Sequence, residues 1–116
     1  MLYVKDLPRM VEFYSGTLGL KPIEETRMDT WVEFEAGESR FSLHAIPAHI
    51  AAGIEITSPP KVREKNPLTL IFEVEDAASE CDRLESQGVT IIRRPWAFEL
   101  VDPEGNLCRL YSPERA

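Results

Sequence analysis

Positive charge is in short supply in this chain. Thirteen Lys and Arg face 20 Asp and Glu, leaving a net charge of −7. A nucleic-acid binder needs a basic face to meet phosphates, so that class is excluded. Docking on an anionic membrane surface is disfavoured for the same reason. The acidity suits a cationic ligand, but it serves solubility equally well. Long apolar runs are absent too. None approaches the ~18 residues of a membrane span, and the N-terminus lacks the basic-then-apolar pattern of a signal peptide. The expectation is a cytoplasmic protein. Cysteine occurs only at Cys81 and Cys108. Each falls on the apolar face of an expected helix or strand, as a small core residue in a reducing compartment. Glycine-rich phosphate loops are missing, since Gly16 and Gly19 do not form one. No nucleophile–base–orienter set is visible.

What remains is an ordinary globular composition. Hydrophobic residues make up 43% and charged residues 28% of 116, enough for a core in one domain. Leu2 to Lys5 forms a short strand. Asp6 caps a helix with Pro8 in its first turn and Met10, Phe13, Tyr14 and Thr17–Leu18 on one stripe. Gly19 stops it. Leu20 to Glu25 is extended, and Trp31 to Glu35 with Arg40 to Ile46 makes a hairpin around residues 36–39. From Pro47 to Pro67 the pattern is irregular. Ala48 to Gly53 suits one helical turn, Gly53 to Ile56 a short strand, and Pro59 to Asn66 a charged connector.

The second half repeats the first. Thr69 to Val74 is a strand, Asp76 caps a helix whose inner face is Ala77, Cys81 and Leu84, and Gly88 ends it. Val89 to Ile92 is extended. Trp96 to Val101 and Leu107 to Tyr111 form a closing hairpin around Asp102-Pro103-Glu104-Gly105. Asp supplies local acceptors there, Pro presets φ, Gly provides φ > 0, and Asn106 tolerates the left-handed region. Val4 and Val74 are 70 apart, as are Asp6 and Asp76. Two β-α-β-β-β units of this size indicate duplication.

Laid out this way, the chain resembles the vicinal oxygen chelate superfamily of glyoxalases, bleomycin-resistance proteins and extradiol dioxygenases. The residues that carry the resemblance are Val4-x-Asp6, Phe13-Tyr14, Leu18-Gly19-Leu20, Phe72-x-Val74-x-Asp76, Leu84, Gly88-Val89 and Asp102 to Asn106. It implies an α+β fold of two β-α-β-β-β modules forming a curled mixed sheet around a cleft. In this frame residues 1–116 are one domain, with module one at 1–46, a connector at 47–67 and module two at 68–113. A homodimer is expected, with modules paired within a chain or exchanged between subunits.

Many such proteins hold a divalent metal at four equivalent strand points. Matched residue by residue, the first point falls ahead of Met1 and the others on Ser42, Thr69 and Arg109. Hydroxyls are poor ligands at neutral pH, and Arg is a permanent cation. No metal and no cofactor are therefore expected. Ser42, His44 and Thr69 are candidates to orient polar groups of a ligand. Arg109 is a candidate anion receptor, or else the partner of an internal acid such as Glu33, Glu73 or Glu99. Tyr111, Tyr3, Trp31 and Trp96 can stack on a planar ligand, or serve as core. Arg63 either reaches over the cleft mouth or is a solvated surface residue. The function expected is a metal-independent small-molecule-binding protein holding a planar or amphipathic ligand in the cleft between modules. Two alternatives stay open. One is a lyase or dioxygenase with an atypical metal site from His44, Glu33 and Glu99. The other is an interaction module whose cleft is filled by its own side chains.

Overall fold

A computed structural model describes residues 1–63 and 66–113. Glu64 and Lys65 of the expected connector lie outside the described residues. The chain forms two compact units, Met1–Thr57 and Ser58–Ala116. Each has the β-α-β-β-β order and an open four-stranded mixed sheet, so the fold is α+β as the duplication implied.

In the first unit, β1 (Leu2–Val4) leads into α1 (Leu7–Val11). The Asp6 carboxylate accepts from the Arg9 N–H and so satisfies one of the helix's open donors. From Glu12 to Thr17 the helix widens to π geometry, and Leu18 N–H reaches back to the Phe13 carbonyl. Met10, Phe13 and Tyr14 are buried, but Thr17 and Leu18 at the end of the stripe are only half-buried. Gly19 then takes φ +85. The expected extended run at Leu20 to Glu25 shrinks to β2 (Lys21–Pro22), followed by a 3-10 turn at Glu24–Thr26. β3 (Trp31–Ala36) and β4 (Ser39–Ala45) form the hairpin, with Ala36 opposite Ser39. The turn is thus two residues, not four, because Gly37 at φ +63 supplies the positive angle a tight hairpin needs. Strand order is β1-β4-β3-β2, with β1 parallel to β4. Val4, Val32, Phe34, Phe41 and Leu43 share the helix-facing side, where Tyr14 meets Phe41 at 5.0 Å between ring centres. A short α2 (Ala48–Ala51) follows, as expected. Gly53 to Ile56 is not a strand. Ile54 N–H turns back to the Ala51 carbonyl, and the Lys5 ammonium takes the Ile54 carbonyl, so neither group enters a ladder.

In the second unit, β5 (Leu70–Glu73) precedes α3 (Ala77–Ser86), capped by Asp76 accepting from the Ser79 N–H. Ala77, Cys81 and Leu84 are buried as the pattern required. Neither cysteine is in a disulfide, and burial pushes the Cys81 thiol pKa up. β6 runs from Ile91 to Arg94, β7 from Ala97 to Val101 and β8 from Leu107 to Tyr111, in the order β5-β8-β7-β6. β6 lies two residues later than expected because the β6–β7 hairpin turns on Pro95 and Trp96, with Arg94 opposite Ala97. Trp96 therefore leaves the strand it was assigned to. In the β7–β8 turn Asp102 does more than start a bend. One of its oxygens accepts from the Glu104 and Asn106 N–H groups and the other from the Asn106 side chain. Gly105 alone carries the left-handed angle, φ +88, and a Cβ there would meet the Lys61 carbonyl at 2.3 Å. Asn106 stays out of that region. Among the described residues, no helix is long and apolar enough to cross a membrane.

The pairings align the repeats. Leu2 lies beside Leu43 and Phe72 beside Leu110. The 70-residue offset sets Leu2 on Phe72, so their partners Leu43 and Leu110 correspond, and with them Ser42 to Arg109 and His44 to Tyr111. Glu33 sits opposite Ser42 and Glu99 opposite Arg109, so the two glutamates also correspond.

Candidate functional site

Strand alternation gives each sheet one face away from its helix. In the first unit that face carries Tyr3, Trp31, Glu33, Arg40, Ser42 and His44. Ser42 is buried, while Trp31, Glu33 and His44 are half-buried. The His44 ring stands 5.2 Å from the Tyr3 ring and 6.0 Å from the Trp31 ring, centre to centre. Its Nδ1 lies 2.8 Å from the Ala45 carbonyl. A carbonyl only accepts, so Nδ1 carries the hydrogen, and in the neutral ring Nε2 presents a lone pair. Glu33 accepts from the Trp31 indole N–H and from Arg40, each at 3.1 Å. Those two contacts, the indole bond first, hold its carboxyl below the usual carboxylate value.

In the second unit the corresponding face is built on ions. Glu99 is 1% exposed. One of its oxygens is held by the Arg94 Nε and the other by Arg109, whose Nη2 lies at 3.0 Å and Nε at 3.4 Å. Burial pushes the Glu99 pKa up, but the hydrogen bonds and charges of Arg94 and then Arg109 outweigh it and hold the carboxyl low. Of the acids offered for Arg109, the structure selects Glu99. Thr69 is exposed just ahead of β5, and Tyr111 ends β8 at 52% exposure. Trp96 is 74% exposed at the hairpin tip. Tyr3, Trp96 and Tyr111 are therefore not core residues. Arg63 is exposed but not merely solvated: its Nε donates to the Glu104 carbonyl and so braces the β7–β8 turn. Ser42, His44 and Trp31 come together in one unit, and Arg109 and Tyr111 in the other.

Arg94 escaped the sequence reading. The signal was available in Pro95-Trp96, a turn that moves β6 onto Arg94 and sets it on the same face as Glu99. A pocket of about 300 Å³ does occur in the first unit, but Leu7, Val11, Met28 and Val32 help to line it and no expected site residue does.

These donors do not suit a divalent metal. Among the described residues, no three of His, Cys, Asp and Glu gather in one place. Glu99 spends both oxygens on guanidinium groups, and Glu33 spends both on Trp31 and Arg40. A cation entering beside Arg94 and Arg109 meets two fixed positive charges.

The model of the Glyoxalase/Bleomycin resistance protein/Dioxygenase superfamily matches residues 1–108. No curated protein matches the chain. Among solved structures, an integron cassette protein from the mobile metagenome of V. cholerae is 25% identical, with TM-score 0.69 over 97% of this chain and 91% of that one. A glyoxalase/bleomycin resistance protein/dioxygenase family enzyme from Burkholderia phytofirmans is 21% identical, with TM-score 0.70 over 97% and 94%. TnmS3, an antibiotic binding protein from Streptomyces sp. CB03234, is 22% identical, with TM-score 0.62 over 97% and 93%.

Proposed function

Because the chain belongs to the glyoxalase/bleomycin resistance protein/dioxygenase superfamily, we propose that it binds a planar or amphipathic small organic molecule without a metal. The observation that carries this reading is the state of Glu99. An atypical metal site would need Glu99 as a free carboxylate, but it is locked between Arg94 and Arg109, and Arg109 itself stands at one of the matched metal points. Exposed aromatic and apolar side chains beside fixed polar groups are the usual makings of a small-molecule site. TnmS3, a fold relative, is described as antibiotic binding, which supports the same class for this chain. Ser42, His44, Thr69, Arg109, Tyr111, Trp31 and Trp96 are its proposed ligand-facing residues, and a cytoplasmic homodimer its proposed setting.

One observation favours a second reading, a lyase or dioxygenase. The open Nε2 lone pair of His44 is the form a metal takes. Elemental analysis of purified protein, with thermal melts in and out of chelator, separates the two. The proposal expects no stoichiometric transition metal and an unchanged melting temperature. It also expects planar organic compounds to raise that temperature, since a ligand at ~100 times its dissociation constant adds about 2.7 kcal/mol. One metal per chain, lost to chelator together with stability, overturns it. Light scattering tests the dimer.

A further inference from the structure

The second unit's open face goes further than generic binding. Resting on the reading above, we propose that Arg94 and Arg109, set in place by Glu99, clamp the carboxylate of an amphipathic organic monoanion whose apolar body lies on Ile71 and Tyr111.

The argument starts from register. Glu99 lies opposite Arg109, Arg109 lies opposite Ile71, and Tyr111 follows Arg109 by two, so all four share a face. Arg94 joins them through its bond to Glu99. Two guanidiniums against one buried carboxylate leave one surplus positive charge, in a chain that is otherwise acidic. Neither arginine has spent its donors. Arg94 uses only Nε, and Arg109 uses Nε and Nη2, so both Nη groups of Arg94 and the Nη1 of Arg109 bond no described residue. The two side chains are 40% and 37% exposed, open enough to receive a ligand while Glu99 fixes their planes. Guanidinium donors in a fixed plane suit a carboxylate, and pre-setting them lowers the ordering cost of binding.

Charge and apolar surface then narrow the class. Ile71 is 60% exposed and Tyr111 52% exposed on the same face as the arginines, apolar surface on which the body of a ligand can lie. Within the Arg94–Glu99–Arg109 cluster the surplus of one charge matches a monoanion. Glu73, exposed on the same face opposite Tyr111, offsets that surplus over the wider face and so repels a dianion more strongly than a monoanion.

The test uses the full chain with benzoate, its neutral isostere benzamide, and phenylphosphonate as a dianion, followed by NMR titration at constant ionic strength. Benzoate is expected to bind about tenfold or more tighter than benzamide and tighter than phenylphosphonate. It should also shift the Nε–H signals of Arg94 and Arg109, a readout that needs no variant. Arg94→Gln and Arg109→Gln should each weaken benzoate about tenfold and benzamide by much less, so the preference for benzoate collapses. Equal affinity for benzoate and benzamide, or no shift of either arginine signal, overturns the clamp while leaving small-molecule binding intact. Tighter phenylphosphonate overturns the monoanion class. If none of these probes binds and no planar compound shifts the melt, the functional reading falls with the clamp.

Discussion

The two sheets share a skeleton and differ in what they place on their open faces. Each sets a glutamate at the same register position, Glu33 opposite Ser42 and Glu99 opposite Arg109. Around Glu33 the partners are an indole and the exposed Arg40, and the neighbouring His44 is tucked among aromatic rings. Around Glu99 the partners are two arginines closing over a carboxylate that water does not reach. The helix-facing sides, by contrast, are alike, with Leu43 and Leu110 at matching points in the core. Duplication thus kept the half of each sheet that stabilises the unit and changed the half that can meet a ligand.

The largest effects should come where the copies agree. Leu43→Ala and Leu110→Ala each empty a well-packed site and should cost about 2–5 kcal/mol in denaturant unfolding. Their values should fall close together. A gap of more than about 2 kcal/mol would mean the two cores are not equivalent.

Where the copies diverge, the glutamates should separate. Glu99→Ala leaves Arg94 and Arg109 facing each other without their counter-ion. Breaking a fully buried pair this way costs about 3–5 kcal/mol, and the partial exposure of both arginines brings the expected loss to about 2 kcal/mol. Glu33→Ala should shift the unfolding midpoint far less, because Arg40 can turn to water. Equal losses would erase the distinction between a locked and a loosely held carboxylate.

Acid should sharpen the same contrast. Both carboxyls are held below the ordinary Glu value of 4.5 in the folded chain. A depressed folded value means the contribution is complete above pH 4.5 and is lost as pH falls through the folded pKa. Glu99→Gln should therefore flatten the acid limb of a stability–pH curve more than Glu33→Gln does. Raising salt should diminish the Glu33 share first, since solvent ions reach an exposed pair and not a buried one.

How much of this was legible beforehand follows from what sequence patterns encode. Capping at Asp6 and Asp76, the stops at Gly19 and Gly88, and the inner face Ala77, Cys81 and Leu84 are local chemistry, and each appeared where the spacing put it. Alternation also placed Arg109 opposite to the buried Cys108 and Leu110. It could not choose among Glu33, Glu73 and Glu99, because facing does not fix distance and partner choice depends on which strand lies alongside. Arg94 was lost through a two-residue error in β6, which shows how one misjudged turn removes a side chain from view. Ile54 to Ile56 failed differently. Its apolar alternation is strand-like, but the local bond from Ile54 to Ala51 claims the backbone first. Trp96 and Tyr111, read as ligand-stacking or core residues, are both exposed, since composition alone does not say which side of a sheet has a helix on it.

The smallest effect belongs to His44, and it tests the aromatic face directly. Its Nδ1 bonds the adjacent Ala45 carbonyl, a local contact that adds little to the fold. His44→Gln should cost about 1 kcal/mol or less. The ring matters more for what it presents than for what it holds together. With Nδ1 donating to a carbonyl, the neutral ring must expose Nε2 as an acceptor between Tyr3 and Trp31. Long-range nitrogen–proton NMR should therefore find the Nδ1–H tautomer dominant in the neutral ring. An Nε2–H tautomer would turn this face into a donor surface, and the contrast with the cationic face around Glu99 would then rest on charge alone.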